Sequence, residues 1–191
     1  MRTVAKAITR WLINTKAISS QMSDVFEYGI FSCLFSSMPV LVVILLSIPL
    51  GMVSEGISMI IPFILLRKFA GGFHFTSPLP CTVTSVALLF ICLFGIKFTL
   101  AFRAYSLMSS LVLFSFAFIF IHSPIDSKSR KLTDAEKKIF RKIAIILSTI
   151  MVLIFFTLIF CKRYGTAISI GFGIILTAFL QVPCRFAKVF S

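Results

Sequence analysis

His74 and Cys81 are the two residues of this chain whose types and setting are best suited to covalent chemistry. They lie in a polar, turn-rich island, residues 67–85, between long apolar runs. A cysteine nucleophile requires at least a thiol and a nearby base such as an imidazole, because the imidazole can accept the thiol proton and leave the reactive thiolate. The residue types therefore suggest nucleophilic catalysis where an apolar segment begins.

Two prolines determine how this pair can meet. Pro78 and Pro80 exclude one continuous helix from His74 to Cys81, so the two side chains must approach each other across a turn. With Ser77 as N-cap and both prolines in the first turn, the sequence predicts a helix that starts here. Cys81 then lies at the positive end of the helix dipole, which favours the thiolate.

Four neighbouring residues are candidates for supporting roles. Gly71 and Gly72 allow close approach of a substrate, and their amides could stabilise an oxyanion. Arg67 would favour the thiolate by its charge. Ser85, one turn after Cys81, could hydrogen-bond within the site or only to its own helix. The island contains no Asp or Glu, so the sequence does not identify the group that orients the imidazole.

The same residues also allow a purely structural interpretation, in which Cys81 is a small buried residue, His74 lies at the membrane interface and the glycines form a turn. For the second histidine, His122, the structural interpretation is preferred. It precedes Ser123-Pro124 at the end of an apolar run and has no cysteine near it in the sequence.

The composition is that of an integral membrane protein. Of the 191 residues 59% are hydrophobic and 23 are Phe, far more than a soluble domain of this size tolerates. The apolar runs lack the period of two that a barrel needs, so we predict an all-α bundle. The five cysteines include no C-x-x-C pair, and we expect no disulfide framework, no metal site and no cofactor.

Apolar runs of membrane-spanning character predict about six transmembrane helices. The second is the weakest, because its core is about half a normal span and contains Pro62. The predicted spans are residues 30–52, 56–66, 79–101, 104–122, 143–161 and 165–183.

Positive charge predicts the orientation, because Lys and Arg collect in cytoplasmic loops. With six crossings and both termini in the cytoplasm, all but four of the 19 basic residues lie on the cytoplasmic side. The same topology predicts that the island lies on that side. The net charge of +13 also suggests binding to anionic lipids, whereas nucleic-acid binding is not expected. The basic segment 123–142 could in addition receive an acidic peptide tail, through Lys128, Arg130, Lys131, Lys137 and Lys138.

The whole chain, residues 1–191, is predicted to be a single membrane domain. Residues 1–28 carry apolar side chains at spacings of three and four with basic residues between them, which predicts an amphipathic helix at the membrane surface. Residues 30–122 hold the first four spans, residues 123–142 the basic segment and residues 143–183 the last two spans. Thr133 and Glu136 resemble a capping box, so a helix is expected to start there and continue into the fifth span.

The string Arg67-x-x-Ala70-Gly71-Gly72-x-His74, followed by Cys81 and Ser85, resembles the signature of the accessory gene regulator protein B (AgrB) family. Members of this family are bacterial membrane endopeptidases that process quorum-sensing propeptides. The resemblance extends over nearly the whole chain, since His122-Ser123-Pro124-Ile125-Asp126 and the basic stretch after it also resemble the family.

The resemblance implies that Cys81 is the nucleophile and His74 the general base and acid of a cysteine endopeptidase acting on an AgrD-type propeptide. Loss of the propeptide's C-terminal tail would leave an acyl-enzyme, and a thiol or hydroxyl of the substrate would then close a thiolactone or lactone ring. The resemblance also implies a homodimer in the bacterial cell membrane, and the distribution of positive charge predicts that the active site lies on the cytoplasmic side.

Two further functions are compatible with a small apolar bundle. A peptide transporter or exporter would usually carry polar residues in the middle of its spans, which are almost free of them here. A non-catalytic scaffold would function without the Cys81 thiol. A metalloprotease fits less well, because neither histidine has a second ligand at helical spacing.

Overall fold

The computed structural model describes residues 2–15, 18–19, 22–71, 78–125 and 134–187. For residues 2, 32–36, 78–82, 134–135 and 184–187 it describes the backbone alone. Within these ranges the chain forms seven α-helices and no β-strand, which confirms the all-α prediction. The helices are α1 Arg2–Asn14, α2 Ser23–Ser47, α3 Val53–Ala70, α4 Pro78–Ala101, α5 Tyr105–His122, α6 Asp134–Phe160 and α7 Tyr164–Ala187. The chain divides into two compact units, Met1–Val42 and Val43–Ser191. The single membrane domain and its internal divisions stay a prediction.

The first unit begins with the amphipathic helix that the sequence predicts, but α1 is shorter than residues 1–28. It exposes the apolar stripe of Val4, Ile8 and Trp11, whereas Thr9 on another face is buried. The helix ends at Asn14, and the Thr15 hydroxyl donates to the Trp11 carbonyl at 3.0 Å. A side chain that bonds to the last helical carbonyls competes with continuation of the helix. The position of α1 at a membrane surface stays a prediction.

The helix boundaries around the second apolar run differ from the predicted spans. α2 stops at Ser47, five residues before the predicted end, because Pro49 disfavours helical backbone at Ile48. After a turn, α3 extends from Val53 to Ala70 and includes charged residues at both ends that the predicted span left out. Although Pro62 lies inside α3, this run forms one continuous helix of 18 residues.

Three helical stretches are long and apolar enough to cross a membrane: Val83–Ala101, Tyr105–His122 and Glu136–Phe160. Ser37–Ser47 and Tyr164–Phe179 are shorter apolar stretches. These lengths come from the described residues alone. They fit a membrane protein, whereas six complete crossings and cytoplasmic termini stay predictions.

In the second unit, α7 is the central helix. Its buried side chains follow one another almost without interruption from Ala167 to Ala178, and it packs against α3, α4, α5 and α6. A helix that is apolar on all sides is expected at the centre of a bundle rather than at its surface. α7 therefore sets the positions of the four helices around it.

Small residues let α7 approach its neighbours closely. A Cβ atom at Gly173 would lie 2.5 Å from the Met59 carbonyl oxygen of α3, so the two backbones are in direct contact. A Cβ atom at Gly171 would lie 2.8 Å from the end of the Met108 side chain of α5. At a third contact the glycine belongs to the neighbouring helix: Gly95 of α4 leaves space for the Phe172 ring of α7. Close backbone approach at small residues is a common way for helices to associate where the hydrophobic effect between them is weak.

Cysteine labelling at the two ends of α3 tests the predicted topology. Ser54 and Lys68 are both exposed and lie near opposite ends of this helix. With the five native cysteines replaced by alanine, we expect a membrane-impermeant maleimide to label Ser54→Cys in intact cells. Lys68→Cys should react only after the cells are permeabilised. Labelling of both variants, or of neither, in intact cells would contradict a full crossing by α3.

Candidate active site

α4 begins at Pro78, as the proline and serine pattern predicts. Cys81 is the fourth residue of this helix, so its backbone lies in the first turn. The first turn contains no acidic side chain that would oppose a thiolate. Ser85 follows one turn later and is half-buried. The proposed cap at Ser77 lies outside the described residues.

α3 ends at Ala70, inside the island, and its last residue is held by a different part of the chain. The Ala70 carbonyl accepts a hydrogen bond from the Ile125 backbone N–H at 3.1 Å. Gly71 forms an isolated parallel bridge with Ile125. Gly71 has a φ of 75°, and a Cβ atom there would collide with the Ile125 carbonyl oxygen. Glycine is therefore needed here both for its backbone conformation and for the space it leaves.

The same Ala70 carbonyl also accepts a hydrogen bond from a side chain of α7. The Nε2 atom of Gln181 donates to the Ala70 oxygen at 3.1 Å and to the Ser123 Oγ at 2.9 Å. Gln181 is 0% exposed, and Ala70 and Ser123 are buried with it. We call this group of five residues (Ala70, Gly71, Ser123, Ile125 and Gln181) the Gln181 junction. It joins the end of α3, the segment after α5 and the last turns of α7.

One atom of the junction is not satisfied. The Oε1 atom of Gln181 is buried and has no hydrogen-bond partner among the residues that the structure describes. An unpaired buried polar atom costs about 1–3 kcal/mol, comparable to the gain from the two bonds that Nε2 makes. A leucine of similar size would avoid that cost, so stability alone does not account for a glutamine at this position.

His122 lies at the end of α5, next to Ser123 of the junction. Its Nδ1 atom donates to the Phe118 carbonyl at 3.1 Å, since a carbonyl oxygen can only accept. The imidazole also stacks on the Phe118 ring, with centroids 4.4 Å apart. These contacts within its own helix agree with the structural role predicted for His122.

Basic side chains gather at the end of the second unit where the junction lies. The edge-to-face pair of Phe69 and Phe140, with centroids 5.9 Å apart, joins the last turn of α3 to the first turns of α6. α6 runs unbroken from Asp134 to Phe160, which confirms that a helix starting near Thr133 continues into the fifth apolar run. Lys138 on this helix is exposed and Lys137 is half-buried. Arg67 is half-buried near the end of α3, with its guanidinium 5.6 Å from the Phe63 ring centroid.

Several predicted site residues lie outside the described part of the chain. These are Gly72, His74, Lys128, Arg130 and Lys131, and for Cys81 only the backbone is described. Of the island, the structure describes residues 67–71 at the end of α3 and the start of α4 from Pro78. The approach of His74 to Cys81 stays a prediction.

Sequence reasoning missed Gln181 and the role of Ser123 in the junction. A signal was present, because Gln181 is a single amide within the apolar run from Ile174 to Val182. Polar residues inside an apolar span are often functional or pair with a specific partner. The partner itself, 111 positions earlier in the chain, could not be read from local pattern.

An all-helical bundle in which three described helices are long and apolar enough to cross a membrane fits a membrane protein. A sequence model of the accessory gene regulator B (AgrB) family matches residues 5–182. The chain belongs to this family, which is known for processing proteases and is involved in quorum-sensing propeptide processing. No curated protein and no solved structure matched the chain.

Gly71 and Gly51 form a matched pair for testing the junction. Both have a positive φ, but a Cβ atom at Gly51 would meet nothing within 4 Å. Alanine at either position should cost about 1–2 kcal/mol for the backbone conformation. Gly71→Ala should cost about 1–3 kcal/mol more, because the Ile125 backbone must move. Thermal unfolding in one detergent compares the two, and equal losses would contradict the Gly71–Ile125 contact.

Proposed function

We propose that the chain is a membrane cysteine endopeptidase that removes the C-terminal tail of an AgrD-type propeptide, with Cys81 as nucleophile and His74 as general base and acid. The observation that carries this proposal is the family match over residues 5–182, in a chain that has the thiol and imidazole of the family pattern. The start of α4 at Pro78 supports it, because a thiolate in a first helical turn is stabilised by the dipole.

In the first step, His74 accepts the proton of the Cys81 thiol, and the thiolate attacks the carbonyl carbon before the propeptide tail. The C–N bond of that peptide then breaks. The imidazolium returns its proton to the leaving amine, and the tail departs with a new amino terminus. The remaining part of the propeptide stays bound to Cys81 as a thioester.

In the second step, His74 accepts the proton of a thiol or hydroxyl of the bound peptide as that group attacks the thioester carbonyl, and the imidazolium later returns the proton to the Cys81 thiolate. The new bond closes a thiolactone or lactone ring, and the Cys81 thiolate leaves. Exchange of one thioester for another is nearly neutral in energy, so the outcome depends on excluding water, which would hydrolyse the acyl-enzyme irreversibly.

The residues around the pair have supporting roles in this proposal. The amides of Gly71 and Gly72 are candidates for binding the oxyanion of the tetrahedral intermediate. The Arg67 charge favours the thiolate, and Ser85 is a candidate hydrogen-bond partner one turn into α4. The Gly71 N–H already donates to the Arg67 carbonyl at 3.2 Å, so Gly72 is the preferred candidate of the two.

The substrate is proposed to reach this site from the cytoplasmic side of the cell membrane. Lys128, Arg130, Lys131, Lys137 and Lys138 would attract an acidic propeptide tail and anionic lipid headgroups. The Phe69–Phe140 contact supports a role in tail binding, because it places the basic start of α6 beside the end of α3. The protein is proposed to act as a homodimer, in line with the family resemblance.

Cleavage of a candidate AgrD-type propeptide tests this proposal. Cys81→Ala and His74→Ala should each abolish release of the tail, followed by mass spectrometry in reconstituted vesicles. The matched controls are Cys161→Ala and His122→Ala, because Cys161 is exposed in the turn after α6 and His122 bonds within its own helix. Both controls should retain cleavage within about threefold, the scatter expected of substitutions away from the reacting groups.

Undiminished cleavage by Cys81→Ala and His74→Ala would contradict the proposal and favour the structural interpretation of the island. If no tail is released by any variant while the intact propeptide crosses the membrane, the exporter function would replace it. Full biological activity of Cys81→Ala without cleavage would support a scaffold.

A further inference from the structure

Three turns of the second unit share one backbone geometry. They connect α2 to α3, α4 to α5 and α6 to α7, and they lie at the end of these helices opposite the Gln181 junction. In each turn two consecutive N–H groups donate back to carbonyls at the end of the preceding helix, and the first of the two belongs to a residue with a positive φ. This residue is Gly51, Arg103 or Lys162, with φ values of 66°, 52° and 59° in that order.

Two of these turns carry a basic side chain where glycine is the usual residue. A side chain strains the backbone at a positive φ, and Gly51 shows that the turn itself needs none. Arg103 and Lys162 therefore keep long side chains in a conformation that disfavours them. A strained position of this kind points to a role of the side chain beyond the turn.

Contacts between the starts of three helices bring these turns together. The Tyr105 and Tyr164 rings, on the first residues of α5 and α7, stack with centroids 4.2 Å apart. The Glu55 carboxylate of α3 lies beside Gly165 in the first turn of α7, 3.2 Å from where a Cβ atom would be. The three turns therefore lie side by side.

The surface that the turns form carries more positive than negative charge. Its basic residues are all exposed: Lys97, Arg103, Lys162 and Arg163. Glu55 is the single acidic residue among the described residues at this end. None of the four basic side chains makes an ion pair or a hydrogen bond with any residue that the structure describes. We call Tyr105, Tyr164 and these four basic residues the tyrosine-pair surface.

Exposed aromatic rings lie next to this charge. Phe98 and Phe102 stack with centroids 4.3 Å apart at the end of α4, and Phe160, the last residue of α6, is 88% exposed. In a chain whose helices cross a bilayer, these turns lie at the boundary between hydrocarbon and headgroups. The apolar stretches that begin or end at the turns are Val83–Ala101, Tyr105–His122 and Glu136–Phe160.

An anionic phospholipid matches both parts of this region. Its phosphodiester is an acceptor for guanidinium and ammonium groups, and its acyl chains can contact the exposed Phe rings. A soluble anion would satisfy the charges alone. A zwitterionic lipid would bring its own cation to the basic residues.

We propose that the tyrosine-pair surface is a binding site for the headgroup of an anionic phospholipid, with Arg103, Lys162 and Arg163 binding the phosphate. The site lies at the opposite end of the second unit from the Gln181 junction. It does not depend on the proposed endopeptidase, so its test needs no propeptide.

A basic residue after a helix end also has a structural explanation, because its charge favours the negative end of the helix dipole. The two explanations differ in what glycine does at Arg103 and Lys162. If the side chains stabilise the helix ends, glycine lowers the unfolding temperature even without lipid. If they bind headgroups, glycine relieves the backbone strain and weakens only the binding of lipid.

The double variant Arg103→Gly/Lys162→Gly tests this difference in the full chain, purified in an uncharged detergent. Without lipid, we expect it to unfold at the wild-type temperature or up to about 4 °C above it. Its affinity for phosphatidylglycerol should fall about thirtyfold, since each basic group at a membrane surface contributes a factor of about five. Native mass spectrometry measures this affinity by counting lipids on the folded protein, so a loss of folded protein does not imitate a loss of binding.

Two matched variants identify the cause of a loss. Arg103→Gln/Lys162→Gln removes the charges but keeps the strained backbone, and it should lose affinity as the glycine variant does. Lys68→Gln/Lys142→Gln removes two exposed charges at the opposite end, on α3 and α6. It should lower the affinity less than about threefold, because charges that far from the site are screened.

Two other ligands separate a lipid site from a general anion site. Phosphatidylcholine with the same acyl chains should bind the wild type about tenfold more weakly or less well still, because its headgroup has no net charge. Glycerol phosphate has the charge without the chains, and it should not displace bound phosphatidylglycerol at equal concentration.

The inference is overturned if the glycine variant keeps the wild-type affinity, or if Lys68→Gln/Lys142→Gln loses as much, since binding then follows net charge. Equal binding of phosphatidylcholine would contradict the anionic specificity, and displacement by glycerol phosphate would make the surface a site for soluble anions. A lower unfolding temperature of the glycine variant without lipid, together with unchanged affinity, would assign Arg103 and Lys162 to the helix ends.

Discussion

A polar group inside an apolar bundle must find a partner within the protein, and the Ala70 carbonyl shows how this chain meets that constraint. The helix that carries it ends at Ala70, inside the island, so its last carbonyls lose their helical partners. One of them is satisfied by Gln181 of α7 and by the backbone of Ile125. The two bonds fix where α3 ends, and with it the starting point of the segment that contains His74.

This junction depends on the position of α7, which is determined by packing rather than by polar contacts. Gly173 lets α7 lie directly against the α3 backbone, and Phe172 inserts at Gly95 of α4. Interiors packed in this way resist deformation, because small displacements create either overlaps or voids. The helices that flank the island are therefore held by one central helix, whose last turns carry the buried amide.

The sequence was sufficient for features that depend on local pattern. Apolar runs predicted the helices, and Ser77 with the two prolines predicted the start of α4 before Cys81. Boundaries set by single residues were less accurate, as the early end of α2 before Pro49 shows. The Gln181 junction was not predictable in this way, because its hydrogen bonds join residues far apart in the chain. A single glutamine in an apolar run was a signal, but it did not identify Ala70 or Ser123.

The measurement that tests the endopeptidase most directly is the intact mass of the protein after mixing with a candidate AgrD-type propeptide. We predict a transient increase equal to the propeptide without its tail, located on the fragment containing Cys81 and removed by hydroxylamine, which cleaves thioesters. Release of the tail by the wild-type chain with no adduct at any time, together with cleavage by Cys81→Ala, would contradict the acyl-enzyme account.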